Sequence, residues 1–146
     1  MTDPVSDDGP PKRPPRVVII EDDDTMREMI GHMLERGGYK VVMTSRAEHA
    51  IDLIAGVQMD LVLTDIFMPG MGGIEAIQRL RESNPELPII AMSAGFQEVS
   101  GEHATRAAMK MGAVAVVDKP IARDQLFQVI EDVLSADAGP DDDAAT

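Results

Sequence analysis

Four apolar runs in this chain each lead into a side chain suited to handling a phosphoryl group and a hard cation. Glu21 and Asp22 follow Val17 to Ile20, Asp65 follows Leu61 to Thr64, Ser93 follows Ile89 to Met92, and Lys119 comes just after Val114 to Val117. Carboxylate oxygens bind Mg²⁺ well, and a divalent cation makes it tolerable to bring several carboxylates together. An aspartate can attack phosphorus to give an acyl phosphate, with the metal shielding the repulsion between two anions. Lys119 would then pair one phosphoryl oxygen and Ser93 would hydrogen-bond another. Each residue is bland alone: an acidic cluster after a strand is often a helix cap, and Asp24 is the expected cap of the first helix. The signal is their recurrence at run ends, because ligand sites in open α/β sheets form beyond the carboxyl ends of the strands.

The elements that must position these residues are short β-branched runs alternating with segments of helical period, the pattern of repeated βα units. Strands are predicted over Val17 to Ile20, Lys40 to Met43, Leu61 to Thr64, Ile89 to Met92 and Val114 to Val117. All but the second read as continuous apolar runs, as expected for strands covered by helices on both faces. The first helix is expected to start near Asp24, with Met26, Met29, Ile30, Met33 and Leu34 on one face and Gly37-Gly38 as its stop. Further helices are expected to carry Ala47 to Ala55, Ile74 to Leu80, roughly Glu102 to Met111, and Leu126 to Leu134. Parallel strands require right-handed crossovers, so the predicted class is α/β: a doubly wound five-stranded parallel sheet with five helices in a three-layer sandwich.

Composition narrows the function. At 146 residues there is room for one ordinary domain with flanking tails. A net charge of −13 argues against nucleic-acid binding, which needs clustered Lys and Arg. With no Cys there is neither a disulfide framework nor a thiolate metal site, and no run reaches transmembrane length. A cytoplasmic protein that does not engage membranes is therefore expected. The eleven Met are expected as core filler. Residues 1–15, rich in Pro, and the acidic 136–146 have too little apolar surface to offset ordering entropy, so both are expected to lack fixed structure, leaving 16–135 as the folded domain.

The run Ile19-Ile20-Glu21-Asp22-Asp23-Asp24-Thr25-Met26-Arg27, then Asp65-Ile66-Phe67-Met68-Pro69-Gly70-Met71-Gly72-Gly73, then Ser93-Ala94, then Asp118-Lys119-Pro120-Ile121 resembles the motifs of the receiver domain of two-component response regulators. The resemblance implies the flavodoxin-like strand order 2-1-3-4-5. By position it implies Asp65 as phosphoacceptor and Asp22 as direct Mg²⁺ ligand. It further implies Glu21 holding the ion through water, the backbone carbonyl of Phe67 as a further ligand, Ser93 and Lys119 as phosphoryl contacts, and a cis Lys119-Pro120 bond. Glu21 stands where Asp is commoner. Val116 stands where many receivers carry a switching aromatic. The stretch from Ser93 to Gly112 is about four residues longer than in chemotaxis regulators, with Phe96 inside it as a candidate partner contact. Phe67 and Gly95, two beyond Asp65 and Ser93, offer no polar side chain to orient an attacking water.

The expected function is that of a single-domain response regulator, a phosphoacceptor rather than a classical enzyme. It would take a phosphoryl group from a phosphohistidine of a sensor kinase or phosphotransfer protein onto Asp65 with Mg²⁺. It would then switch a face formed by the fourth helix, fifth strand and fifth helix toward an unidentified downstream protein, or relay the phosphate. The alternative is a phosphorylation-independent interaction module on the same fold. A dehalogenase-type phosphatase fits less well, since Glu21 occupies the nucleophile position of its motif. A dinucleotide fingerprint fails because Glu75 takes the place of the third glycine. His32, His49 and His103 show no metal spacing.

Overall fold

The computed structural model describes residues 13–66, 73–94 and 106–138. In chain order the elements are β1 (Arg16–Ile20), α1 (Asp24–Arg36), β2 (Lys40–Thr44), α2 (Ala47–Gly56), β3 (Leu61–Asp65), α3 (Gly73–Ser83) and β4 (Ile89–Ala94). A helical stretch over 106–111, here α4, precedes β5 (Ala115–Lys119) and α5 (Arg123–Ala138). The strands form one parallel sheet in the order β2-β1-β3-β4-β5. This is the order that the resemblance implies, in the doubly wound class expected from the pattern of strands and helices.

Side chains alternate across a strand, so each buried run feeds two cores. Val18, Ile20, Val62 and Ala91 pack with Ala50, Ile54, Ile77, Leu80 and Ala108 from α2, α3 and α4. Val17, Ile19, Leu61, Leu63, Ile90 and Met92 pack on the opposite face with Ile30 and Leu34 of α1 and Leu126 and Ile130 of α5. Each fully buried Val, Leu, Ile or Met side chain among them contributes about 1.5–3 kcal/mol relative to an exposed one. That two-sided burial is what anchors the strand ends firmly enough to hold a site.

The termini of α1 show how local sequence sets the geometry. The Asp23 side chain caps the helix by accepting from the Met26 N–H at 2.8 Å. The cap is therefore one residue earlier than the predicted Asp24, which is instead the first helical residue and pairs with Arg27. Gly37 ends the helix, its N–H donating to the Met33 and Leu34 carbonyls, and Gly38 follows with φ +98°, a conformation that favours glycine. A Cβ at Gly37 would lie 2.4 Å from the Phe127 ring of α5. The bare Gly37 backbone therefore lets α1 and α5 meet. Phe127 also packs edge-on against Tyr39, with ring centres 5.9 Å apart, and lies under the Arg123 guanidinium.

Other differences from the sequence pattern have physical causes. The apolar β5 run sits at a sheet edge, so only Val117 is buried and Val114 lies outside the strand, exposed. Met59 and Met92 fill the core, but Met29, Met43, Met109 and Met111 are exposed. Met43, on edge strand β2, lies against Gly31, where an added Cβ would meet its sulfur. Part of the Pro-rich arm is docked: Arg13 makes a two-pronged pair with Asp60, and the Pro15 carbonyl accepts from the Lys40 N–H. The last helix runs on to Ala138, into the segment assigned by composition to the tail. The remainder of the arm and tail, residues 67–72, expected to form a turn, and the segment containing Phe96 and His103 lie outside the described residues.

Candidate functional site

Register alone brings the candidate residues to one edge. Ile20 of β1 pairs with Thr64 of β3, Asp65 with Met92 of β4, and Ala94 with Lys119 of β5. Glu21, Asp65, Ser93 and Lys119 thus stand at the carboxyl ends of four neighbouring strands, with Asp22 one residue further along the β1–α1 connection. Carboxylate oxygens of Glu21, Asp22 and Asp65 lie within 4.8 Å of one another. Glu21 and Asp65 are buried and Asp22 is exposed.

A buried cluster of like charges needs compensation, and Lys119 supplies it. Its Nζ donates to Glu21 Oε1 at 2.8 Å and lies 3.3 Å from Asp65 Oδ2. The Asp23 N–H donates to the other Glu21 oxygen at 3.1 Å. The extra methylene of Glu over the commoner Asp lets one carboxylate span from the lysine to the helix-capping loop. Burial pushes the Glu21 carboxyl above its usual value, reinforced by the Asp65 charge and only partly offset by Lys119 and the Asp23 N–H. Burial of the Lys119 ammonium pulls the other way, yet its bonds and charge attraction to Glu21 and Asp65 leave it net raised and firmly protonated.

Ser93 Oγ is buried at the same edge with no hydrogen-bond partner among the described residues. Unpaired buried hydroxyls are costly, and one at such an edge is available to hydrogen-bond a ligand. Three carboxylates form a hard, anionic oxygen donor set of the kind Mg²⁺ takes. The set fits the ion that the motifs imply, and an incoming phosphoryl oxygen would satisfy Ser93.

All the expected side chains that fall among the described residues are brought together: Glu21, Asp22, Asp65, Ser93 and Lys119. Phe67, expected to contribute a backbone carbonyl, lies outside them. The Lys119-Pro120 bond is cis. Val116 is half-buried against the core on the α2–α3–α4 face. His32 and His49 are exposed and apart from the acidic cluster. One participant escaped the sequence pattern. Arg27 donates from Nη1 to the Glu21 carbonyl at 2.8 Å and from Nη2 to Asp24 Oδ1 at 2.6 Å. A basic residue three positions beyond Asp24, on the first turn of the helix after the acidic run, was the available signal.

Comparison with known proteins agrees with this geometry. The model of the response regulator receiver domain matches residues 17–131. Response regulator MprA of Mycobacterium sp. (strain KMS) is 32% identical over 136 residues, covering 91% of this chain and 57% of that protein. Transcriptional regulatory protein FixJ of Bradyrhizobium diazoefficiens is 31% identical over 119 residues, covering 81% of this chain and 56% of that protein. The chain therefore spans a little over half the length of these relatives. Among solved structures, full-length FixJ from B. japonicum superposes with TM-score 0.80 at 27% identity, covering 92% of this chain and 64% of that one. Vibrio cholerae chemotaxis protein CheY4 shares the fold, with TM-score 0.74 at 24% identity over 82% of this chain and 98% of that one.

Proposed function

The chain belongs to the response regulator receiver domain family, and on that footing we propose that Asp65 accepts a phosphoryl group from a phosphohistidine of a sensor kinase or phosphotransfer protein. The observation that carries this reading is the convergence on Asp65: a lysine ammonium at 3.3 Å from the end of β5 and two further carboxylates from the end of β1 reach it. In the reaction an Asp65 oxygen bonds to phosphorus as the P–N bond of the donor breaks, and the departing imidazole keeps the electron pair.

Each residue has a task set by its position. Glu21, Asp22 and Asp65 would hold Mg²⁺, which when bound offsets the negative charge of both acceptor and phosphoryl group. Lys119, already between Glu21 and Asp65, is within reach to pair a phosphoryl oxygen after transfer. The Ser93 hydroxyl, which has no partner among the described residues, would gain one in the phosphorylated state. A change in those two contacts is the route from new charge to altered protein-binding surface, since a switch needs interactions that differ between its states. The downstream partner is proposed to be another protein. No helix among the described residues is long and apolar enough to cross a membrane, and a cytoplasmic setting is proposed from the identity of the phosphodonor.

The test is incubation with acetyl phosphate and Mg²⁺ followed by intact mass. Addition of one HPO₃ unit to the wild type, lost with a chelator and in Asp65→Asn, is the expected result. No addition under any condition would overturn the proposal in favour of a phosphorylation-independent interaction module.

A further inference from the structure

Two of the three acidic residues, Glu21 and Asp22, sit on the β1–α1 connection, and Asp22 is the more exposed. The Asp22 carboxylate has no hydrogen bond or ion pair among the described residues. Its direction is therefore inherited from the backbone, specifically from the peptide that joins it to Glu21. That peptide is gripped on its carbonyl oxygen by Arg27 Nη1 at 2.8 Å. The other arm of the same guanidinium holds Asp24 Oδ1 at 2.6 Å. Arg27 is only 17% exposed in its side chain, whereas Asp24 is 82% exposed. The half-buried, planar fork thus ties the end of β1 to the first turn of α1, and an ammonium could not span both acceptors in the same fixed geometry.

We infer that Arg27 is a positioning residue for divalent-cation binding: it acts through the Glu21–Asp22 peptide to keep the Asp22 carboxylate turned toward Glu21 and Asp65. This rests on the metal-assisted chemistry proposed above. Groups that orient metal ligands without touching the metal commonly govern affinity by about tenfold or more. A purely electrostatic role makes the opposite prediction. Removing a cation from a loop that carries two carboxylates strengthens the attraction for Mg²⁺, so the sign of the effect separates positioning from charge.

The experiment is titration of the full chain with Mn²⁺, followed by water-proton relaxation, for wild type, Arg27→Gln and Arg27→Lys, with circular dichroism and a melting curve on each. Arg27→Gln is expected to bind Mn²⁺ about tenfold more weakly while keeping the wild-type circular dichroism, and Arg27→Lys to fall about threefold, retaining one of the two bonds. Affinity equal to or tighter than wild type in Arg27→Gln overturns the inference. If Arg27→Gln does not fold, unchanged affinity in Arg27→Lys overturns it instead. A wild type that binds no Mn²⁺ refutes the metal-assisted function itself, whereas a binding wild type beside an equally tight Arg27→Gln refutes only the role of Arg27.

Discussion

Lys119→Met removes the ammonium but keeps a stem of similar length, and it tests how far the acidic cluster depends on one internal cation. The Lys119 side chain is 16% exposed and that of Glu21 is 1% exposed. Breaking a buried ion pair from one side costs about 3–5 kcal/mol, because the remaining charge is left uncompensated, and the partial exposure of Lys119 places this case near the lower end. For a domain of about 120 residues, with an unfolding entropy of about 0.25 kcal/mol/K, a loss of about 3 kcal/mol lowers Tm by about 12 °C. The loss depends on pH. Burial already raises the Glu21 carboxyl in the folded state. The stability it contributes is thus fully present below the ordinary carboxylate value and is lost as pH rises through the raised folded value. Without Lys119 that rise becomes larger, so the deficit of the variant is greatest at neutral pH and narrows on acidification, where a proton takes over from the ammonium. It also narrows in Mg²⁺. The assay is chemical denaturation of metal-free wild type and variant at several pH values, with and without Mg²⁺. A deficit under about 1 kcal/mol, or one that is the same at every pH, would refute the view that Lys119 neutralises Glu21 and Asp65.

Ser93→Ala removes a buried hydroxyl that has no partner among the described residues, so the metal-free fold is expected to be unchanged or up to about 1 kcal/mol more stable, while phosphorylation slows. A denaturation loss above that figure would show that the hydroxyl has a structural role. Gly37→Ala introduces a Cβ 2.4 Å from the Phe127 ring, and overpacking is expected to cost about 1–3 kcal/mol. In a Phe127→Leu background that cost should shrink, and an undiminished penalty would mean the clash is not its source. Because Phe67 and Gly95 carry no polar side chain two positions beyond Asp65 and Ser93, the acyl phosphate is expected to decay slowly and Phe67→Asn to hasten it. An unchanged half-life in the variant would count against this.

Much of the site could be read in the sequence because parallel strands buried on both faces leave few places for polar chemistry. Where an apolar run stops at Asp65 or Ser93, the stop itself marks the edge. Local patterns failed where one residue had several equivalent neighbours or where the deciding contact was remote. Among four consecutive acidic residues, periodicity could not tell Asp23 from Asp24 as the cap, since the choice depends on which carboxylate reaches the Met26 N–H. The docking of Arg13 on Asp60 spans 47 positions and leaves no local trace. The exposure of Met43 and the incomplete burial of β5 follow from strand order, because an apolar run at a sheet edge reads the same as one at the centre. Arg27 resembled any first-turn arginine; only its bond to the Glu21 carbonyl sets it apart.

The central claim, that Asp65 is the residue that carries the phosphoryl group, is tested most directly by trapping. An acyl phosphate formed with acetyl phosphate and Mg²⁺ is reduced by borohydride, and the modified residue is located by peptide mass spectrometry. Homoserine in place of Asp65 is the predicted product. Reduction at another carboxylate, or none in protein that has gained the HPO₃ mass, would contradict the account.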